Sequence, residues 1–195
     1  DGGLFASAGA AIAHGLRLAE EGADILDVGG ESTRPGADAV DLETELGRVI
    51  PVIEALAKAG HRVSADTRKP EVMRRAAAAG ACMINDVSAL THDAQSLGVA
   101  ARLGLPAVLM HAKGAPKTMQ ANPSYTDVVQ EVYGFLEKRI AACEAAGLHR
   151  GLLIADPGIG FGKTGRHNLE LLHHLARFRG LGVPLLVGLS RKAFI

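Results

Sequence analysis

Residues 62–87 read RVSADTRKPEVMRRAAAAGACMINDV, and this stretch predicts a strand, a helix and a second strand in succession. The first strand is the short run 62–66 and the second is 82–87. The residues between them predict a helix over 70–79 that begins at Pro70, because proline is favoured in the first turn of a helix. Short strands that alternate with helices are typical of a parallel sheet covered by helices.

The same alternation extends in both directions along the chain. Further strands are predicted at 25–28, 106–111, 152–156 and 184–189, and further helices at 5–21, 42–59, 93–103, 126–146 and 167–179. The start of the helix at 42 carries Asp41, Glu43 and Glu45, which suit the positive end of a helix dipole. The six strand ends lie about 32 residues apart on average, so eight units would take about 258 residues, close to the roughly 250 of a (β/α)8 barrel.

The spacing therefore predicts an α/β fold, a (β/α)8 TIM barrel, with one domain over residues 1–195. Six strands are predicted, the first predicted element is a helix, and residues 191–195 end where another helix is expected. We expect the chain to lack the first barrel strand and everything after the seventh. Six strands cannot close an eight-stranded barrel, so we expect these residues alone to show low solubility and no detectable turnover.

The composition narrows the classes of function. Lys plus Arg and Asp plus Glu number 21 each, and aromatic residues make up 4%, which argues against a nucleic-acid-binding surface. No apolar run approaches the 18 or so residues of a membrane span, and no signal peptide precedes the first helix. Cys82 and Cys143 fit neither a metal motif nor a disulfide scaffold. We expect part of a cytoplasmic enzyme with no nucleic-acid or membrane partner.

Polar residues follow the carboxyl end of every predicted strand. They are Asp27 with 31–34, Asp66 with 67–69, Asn85 with Asp86, His111, Asp156, and Ser190 with 191–192. In parallel barrels these ends meet at one mouth, where active sites lie. A single aspartate at such a place usually anchors its own loop, but six strand ends in succession favour a binding site.

Three familiar motifs are excluded. Residues 158–164 approach the phosphate-binding loop, but its pattern G-x-x-x-x-G-K-[ST] requires glycine where Pro157 stands. Ser32 lacks the G-x-S-x-G context of a serine nucleophile. The eight histidines show no metal-ligand spacing such as H-E-x-x-H.

Six segments resemble, in order, the successive signatures of the dihydropteroate synthase family. They are residues 27–36, 66–70, 84–87, 109–111 with 116–120, 156–163 and 190–192. The resemblance covers essentially the whole chain and implies a TIM barrel that acts in folate biosynthesis. The implied reaction joins 6-hydroxymethyl-7,8-dihydropterin pyrophosphate to 4-aminobenzoate and gives 7,8-dihydropteroate and pyrophosphate, the transferase reaction of class EC 2.5.1.15.

The resemblance assigns pterin binding to eight residues: Asp66, Asn85, Val87, Met110, Asp156, Phe161, Gly188 and Lys192. Asp156 would accept from the amide N–H and the amino group of the pterin, since a carboxylate accepts two donors side by side. Asn85 would contact the opposite edge of that ring. Lys192 would donate to the pterin carbonyl and ring nitrogen, and the apolar members would form the walls of the slot.

The resemblance assigns a second set to the aminobenzoate and pyrophosphate loops, namely Thr33, Arg34, Pro35 and Ser190. Pyrophosphate would leave first, and the aminobenzoate amine would attack the resulting cation, so no nucleophilic side chain is required. Arg34 suits the leaving group because a guanidinium binds phosphate oxygens in pairs. Lys192, Arg34 and Asp66 are thus the expected catalytic residues.

The resemblance also implies Mg²⁺, sulfonamides as inhibitors and a homodimer. The family's Mg²⁺-linked asparagine lies on the first barrel strand, so we expect no metal ligand within this chain. Ala193 stands where the family often has serine, and Ala65 and Ala112 replace larger residues. Two alternatives stay open: a methyltetrahydrofolate-binding methyltransferase domain, and a pterin-binding relative without catalytic activity.

Overall fold

Five parallel strands form one sheet. A computed structural model describes residues 7–33, 36–114 and 118–190. The strands are β1 (Leu26–Gly29), β2 (Val63–Asp66), β3 (Met83–Asp86), β4 (Ala107–Met110) and β5 (Leu153–Asp156). They lie side by side in sequence order. This order is that of a barrel, because an open doubly wound sheet reverses its strand order at a switch point. The five strands predicted at these places are confirmed.

The strand predicted at 184–189 is present only in its first part. Leu185 forms a parallel bridge with Ala155 of β5. The amide of Ala155 donates to the Pro184 carbonyl at 2.9 Å, and the amide of Leu186 donates to the Ala155 carbonyl at 3.0 Å. The segment therefore extends the sheet beyond β5 without forming a regular strand within the described residues.

Within the described residues, six α-helices connect and cover the strands. They are α1 (Ala8–Glu20), α2 (Leu42–Lys58), α3 (Pro70–Ala78), α4 (Ser96–Leu103), α5 (Val128–Ala145) and α6 (Gly165–His173). Side chains cap the beginnings of several of these helices, as Asp41 does by accepting from the Thr44 amide at 2.9 Å. Such caps satisfy amides that have no partner within the helix, which explains why these helices begin where they do.

Several helix predictions had inexact bounds. The helix predicted at 5–21 begins at Ala8 after the Ser7 cap, and the one predicted at 126–146 begins at Val128 after the Asp127 cap. The helix predicted at 167–179 begins at Gly165, because Thr164 and His167 form a reciprocal cap, and it ends at His173. A 3₁₀ helix, Leu175–Leu181, follows it. The helix predicted at 93–103 begins at Ser96, because the Asp93 carboxylate accepts from the Gln95 amide at 2.7 Å and holds the preceding turn.

The core lies between the sheet and the helices. Every residue of β4 is buried, and the largest fully buried side chains include Phe178, Ile53, Met73 and Leu136. Consecutive helices pack against one another from α1 to α4. In the described part of the chain no helix is long and apolar enough to cross a membrane. The packing fixes one sheet edge on which the carboxyl ends of all five strands lie together.

Candidate active site

The strand register brings four of the predicted pterin-binding residues into neighbouring positions. Asp66 at the end of β2 lies opposite Asn85 of β3. Met110 at the end of β4 lies opposite Asp156 at the end of β5. These pairs are adjacent because a parallel register aligns strand ends that lie far apart in sequence.

A set of carboxyl groups surrounds the first of these pairs. The Asn85 amide donates to Asp27 Oδ2 at 2.9 Å, which ties β3 to β1 across the end of β2. Burial raises the pKa of Asp66 well above its ordinary value, and the charges of Asp27 and Asp86 raise it further. Asp66 therefore keeps its proton to a higher pH than an ordinary aspartate does.

The side chain of Asp86, the residue after Asn85, stabilises the loop that follows β3. Its carboxylate is fully buried and accepts from the Ser88 amide at 2.7 Å, the Ser88 hydroxyl at 2.6 Å and the Leu90 amide at 3.1 Å. These bonds hold a turn in which Ala89 and Leu90 adopt positive φ angles of 53° and 61°. The turn sets the position of Val87, a predicted wall of the pterin slot.

A buried ionic network supports the loops after β1 and β2. Glu31 accepts from Arg68 Nε and from Lys69 Nζ, each at 2.8 Å. Lys69 also donates to Glu45 of α2, whose other oxygen accepts from the Thr67 hydroxyl at 2.6 Å. Burial opposes ionisation here, yet the bonds from Lys69, the Val40 amide and Arg68 lower the pKa of Glu31. Two acids and two bases thus hold both loops on α2.

The segments after β4 and β5 are joined around Lys163. Lys163 is 3% exposed, and its ammonium group donates toward His111 Nδ1 at 2.9 Å and to the Gly158 carbonyl at 2.9 Å. Asp156 is nearly buried, and its Oδ1 accepts from the Gly158 amide at 2.7 Å. Lys163 thus points into the protein rather than toward a phosphate site, which agrees with the exclusion of the phosphate-loop motif.

Two glycines allow this close approach. A Cβ atom on Gly158 would lie 1.9 Å from the His111 carbonyl oxygen, and one on Gly162 would lie 2.2 Å from that of Lys113. Both glycines also have positive φ angles, 67° and 63°, which other residues adopt at a cost. The glycine-rich loop after β5 is therefore built to lie directly against the segment after β4.

A cavity of about 170 Å³ opens beside these loops. It contains three predicted site residues, Thr33, Val87 and Phe161, together with Arg68, Ser88, Thr91, Ala112, Gly114, Met119 and Phe135. A larger cavity of about 350 Å³ lies between α2 and α3 and is lined by residues such as Ile50 and Arg75, none of which is a predicted site residue. We assign the site to the smaller cavity, because Thr33, Val87 and Phe161 line it.

Comparison with known proteins identifies the family of this site. The family described as pterin binding enzyme matches residues 1–195. The chain belongs to this pterin-binding family. The dihydropteroate synthase of Escherichia coli strain K12 is 50% identical over 196 residues, which cover all of this chain and 69% of that protein. The dihydropteroate synthase of Haemophilus influenzae is 47% identical, over all of this chain and 71% of that protein.

Solved structures of the pterin-binding family have the same fold. Xanthomonas albilineans dihydropteroate synthase with 4-aminobenzoic acid matches with a TM-score of 0.91 and 56% identity, over all of this chain and 69% of that one. A Yersinia pestis dihydropteroate synthase with a sulfonamide drug complex matches with a TM-score of 0.97 and 44% identity, over all of this chain and 71% of that one. The predicted TIM-barrel class is therefore confirmed.

The remaining predicted residues of the pterin-binding site fall into two groups. Gly188 and Ser190 are exposed and follow the segment that extends the sheet beyond β5. Arg34, Pro35 and Lys192 lie outside the described residues. Among the residues that the structure describes, no group of three or more His, Cys, Asp or Glu side chains could hold a metal ion.

Sequence reasoning missed the supporting residues of the site. Glu45 was interpreted as an acid at a helix start, but it is 1% exposed and binds Thr67 and Lys69. Lys163 and His111 belong to two of the six segments that resemble the family, but the sequence assigned no role to either residue. The only signal in the sequence was their position in motifs at strand ends, because the pairing itself depends on the fold.

Proposed function

We propose that this chain forms the pterin site of a dihydropteroate synthase. The reaction condenses 6-hydroxymethyl-7,8-dihydropterin pyrophosphate with 4-aminobenzoate to give 7,8-dihydropteroate and pyrophosphate, a transferase step of folate biosynthesis. The observation that carries the proposal is the placement of Asp66, Asn85, Met110 and Asp156 at adjoining strand ends. The relatives compared are named as this synthase, and a Xanthomonas albilineans relative was solved with 7,8-dihydropteroate. Both findings favour the synthase over the methyltransferase alternative.

The proposed binding mode starts at Asp156. The Gly158 amide holds one oxygen of its carboxylate, and a carboxylate has about four acceptor positions. The group can therefore accept from the pterin amide N–H and amino group while its orientation stays fixed. Met110, beside it in the sheet, supplies an apolar surface for the ring, and Phe161 lines the adjoining cavity.

The proposed chemistry needs charge stabilisation rather than a nucleophilic side chain. The bond between the pterin methylene carbon and the pyrophosphate oxygen breaks first and leaves a cation on the pterin. The aminobenzoate nitrogen then forms the new C–N bond and loses a proton. Asp66, at the end of β2, and Asp27, within β1, have carboxyl groups close enough to interact electrostatically, and negative charge there favours a cation. Arg34 is proposed to bind the leaving group, Lys192 to donate to the pterin carbonyl and ring nitrogen, and Thr33 and Ser190 to frame the aminobenzoate.

We propose Mg²⁺ as a cofactor on the family resemblance. The described residues include no group of three or more His, Cys, Asp or Glu side chains that could hold it. In phosphate chemistry the ion commonly keeps several waters and needs one or two carboxylates besides the substrate oxygens. We therefore propose that Mg²⁺ arrives with the pyrophosphate substrate. A homodimer and a cytoplasmic location are proposed on the family resemblance. Sulfonamide inhibition is proposed because a Yersinia pestis relative was solved with such a drug.

Product formation tests the proposal directly. Full-length protein is incubated with the pterin pyrophosphate, 4-aminobenzoate and Mg²⁺, and dihydropteroate and pyrophosphate are both measured. We expect both products in equal amounts, and neither without the pterin substrate. Removal of Mg²⁺ with a chelator should lower the rate, and addition of a sulfonamide should compete with aminobenzoate. Folded protein that binds pterin but forms no dihydropteroate would support the non-catalytic alternative instead.

A further inference from the structure

The side chain of Lys163 is an unusual buried cation. The acceptors around its ammonium group include His111 Nδ1 at 2.9 Å, the His111 carbonyl at 3.2 Å, the Gly158 carbonyl at 2.9 Å and the Phe161 carbonyl at 3.0 Å. A buried ammonium group is stable only when its donors are bound, and lysine has three donors to share among these atoms. The site is therefore built around the charged form of this lysine.

His111 completes the arrangement as a neutral ring. Burial, with help from the nearby charge of Lys163, lowers the pKa of His111 to about 3. Because Nδ1 faces an ammonium group, it accepts a hydrogen bond, and the ring proton resides on Nε2. The ring is held edge-on against Phe135 at a centroid distance of 4.9 Å. The acceptor thus keeps a fixed place in the site.

The contacts of Lys163 connect two strand ends. The His111 carbonyl follows β4, whereas the Gly158 and Phe161 carbonyls lie on the loop after β5. The His111 amide also donates to the Asp156 carbonyl at 2.9 Å. One ammonium group therefore holds the glycine-rich loop at two points and fastens it to the end of the neighbouring strand.

We propose that Lys163 and His111 are positioning residues that set the pterin slot. They fix Asp156 and Phe161 on the β5 side relative to Met110 on the β4 side. This inference rests on the proposed function, because it assumes that these three residues bind the pterin. Neither Lys163 nor His111 touches the substrate in this proposal.

The geometry requires a lysine rather than any residue of similar size. Methionine would fill the space but leave three carbonyls and Nδ1 without this donor, and unpaired buried acceptors are costly. Arginine would present its donors in one plane, which does not match carbonyls from two different segments. Lys163→Met therefore removes the positioning bonds while keeping the volume.

The test compares Michaelis constants for the two substrates in full-length protein. For Lys163→Met we expect the KM for the pterin substrate to rise about tenfold or more, because a displaced Asp156 would lose a charged hydrogen bond to the pterin and one such bond is worth about that factor. The KM for aminobenzoate should change less than about twofold. Lys58→Met is the matched control, since Lys58 is a surface lysine paired only with Glu54 among the contacts described, and it should leave both constants unchanged.

A histidine pair keeps the test decisive if Lys163→Met does not fold. His111→Leu removes the acceptor and should raise the pterin KM, whereas His111→Asn retains an acceptor and should restore most of the loss. Equal increases in both Michaelis constants, or a lower melting temperature with an unchanged pterin KM, would overturn the positioning role. Wild-type protein without dihydropteroate formation would instead overturn the proposed function, and this inference with it.

Discussion

Side chains at the strand ends are of two kinds. Some stabilise the loop that follows their own strand, and others take part in the proposed pterin site. Asn85 and Asp86 are consecutive, yet Asn85 reaches across to Asp27 while Asp86 bonds to Ser88 and Leu90. Successive residues of a strand point to opposite faces of the sheet. The alternation separates a residue that can contact a ligand from one that shapes the backbone beside it.

The first prediction at this scale compares Asp156→Ala with Thr33→Ala. Removing a nearly buried acceptor of charged hydrogen bonds should cost about 2–3 kcal/mol of pterin binding. Removing a loop hydroxyl should cost about 1 kcal/mol or less. Calorimetric titration with 6-hydroxymethyl-7,8-dihydropterin measures both. Equal losses in the two variants would contradict the roles assigned to these residues.

The second prediction concerns Gly158→Ala. Gly104 has a similar φ, 60° against 67°, but a Cβ there would meet no atom within 4 Å. Gly104→Ala should therefore lower the free energy of unfolding by only about 1–2 kcal/mol, the cost of the left-handed backbone conformation. Gly158→Ala should lose clearly more stability and also pterin affinity, because its Cβ would collide with the His111 carbonyl. Urea denaturation compares the two, and similar losses would mean that the loop moves aside without strain.

At the scale of elements, α2 has a function beyond covering the sheet. Glu45 stands one turn into α2 and binds both Thr67 and Lys69 in the loop after β2. Lys69 also binds Glu31 in the loop after β1. Since a rigid helix changes position less than a loop, α2 serves as the fixed support for two loops that carry site residues.

The prediction at this scale compares Glu45→Ala with Glu43→Ala. Glu45 is 1% exposed, and its removal would leave the Thr67 hydroxyl without its acceptor and Lys69 with Glu31 as its remaining ionic partner, so Glu45→Ala should cost about 2–3 kcal/mol of stability. Glu43 is exposed on the same turn, and its substitution should change the free energy of unfolding by about 0.5 kcal/mol or less. Chemical denaturation measures the difference. A small loss for Glu45→Ala would show that the network contributes little to stability.

At the scale of the whole molecule, carboxyl groups from separate strands lie near one another at one edge of the sheet. The pKa of Asp66 is raised, first by burial and then by the negative charges of four other carboxyl groups, those of Asp27, Asp86, Glu45 and Glu31. A carboxyl group whose pKa is raised on folding makes the folded state less stable as the pH rises through that pKa. The molecule thus tolerates some electrostatic repulsion at the edge where the proposed cation forms.

The corresponding prediction is that Asp66→Asn stabilises the fold at pH 8 and weakens pterin binding. The gain in melting temperature should be about 2–4 °C for each kcal/mol of repulsion removed. It should shrink as the pH falls toward the ordinary pKa of aspartate, because Asp66 is then protonated in both states. Asp24→Asn, at an exposed surface residue, is the control and should show no such pH-dependent gain. A melting temperature lower than that of the wild type at pH 8 would contradict the prediction.

Much of the fold was predictable because periodicity is a local property. Five strands and the bounds of α2 and α3 followed from apolar spacing and from residues such as Asp41 and Pro70. The predictions of the strand after β5 and of the start of α6 were less accurate. Pairing with Ala155 and the Thr164–His167 cap decide where those elements begin and end.

By itself, the sequence determined the alternation of strands and helices and the presence of polar groups at strand ends. The tertiary structure decided which of those groups serve the site. It paired Thr67 with Glu45 across 22 residues and Lys163 with His111 across 52. Burial and hydrogen bonding of this kind depend on atoms that only folding brings together, so no local pattern could have shown that Glu45 and Lys163 lie inside the protein.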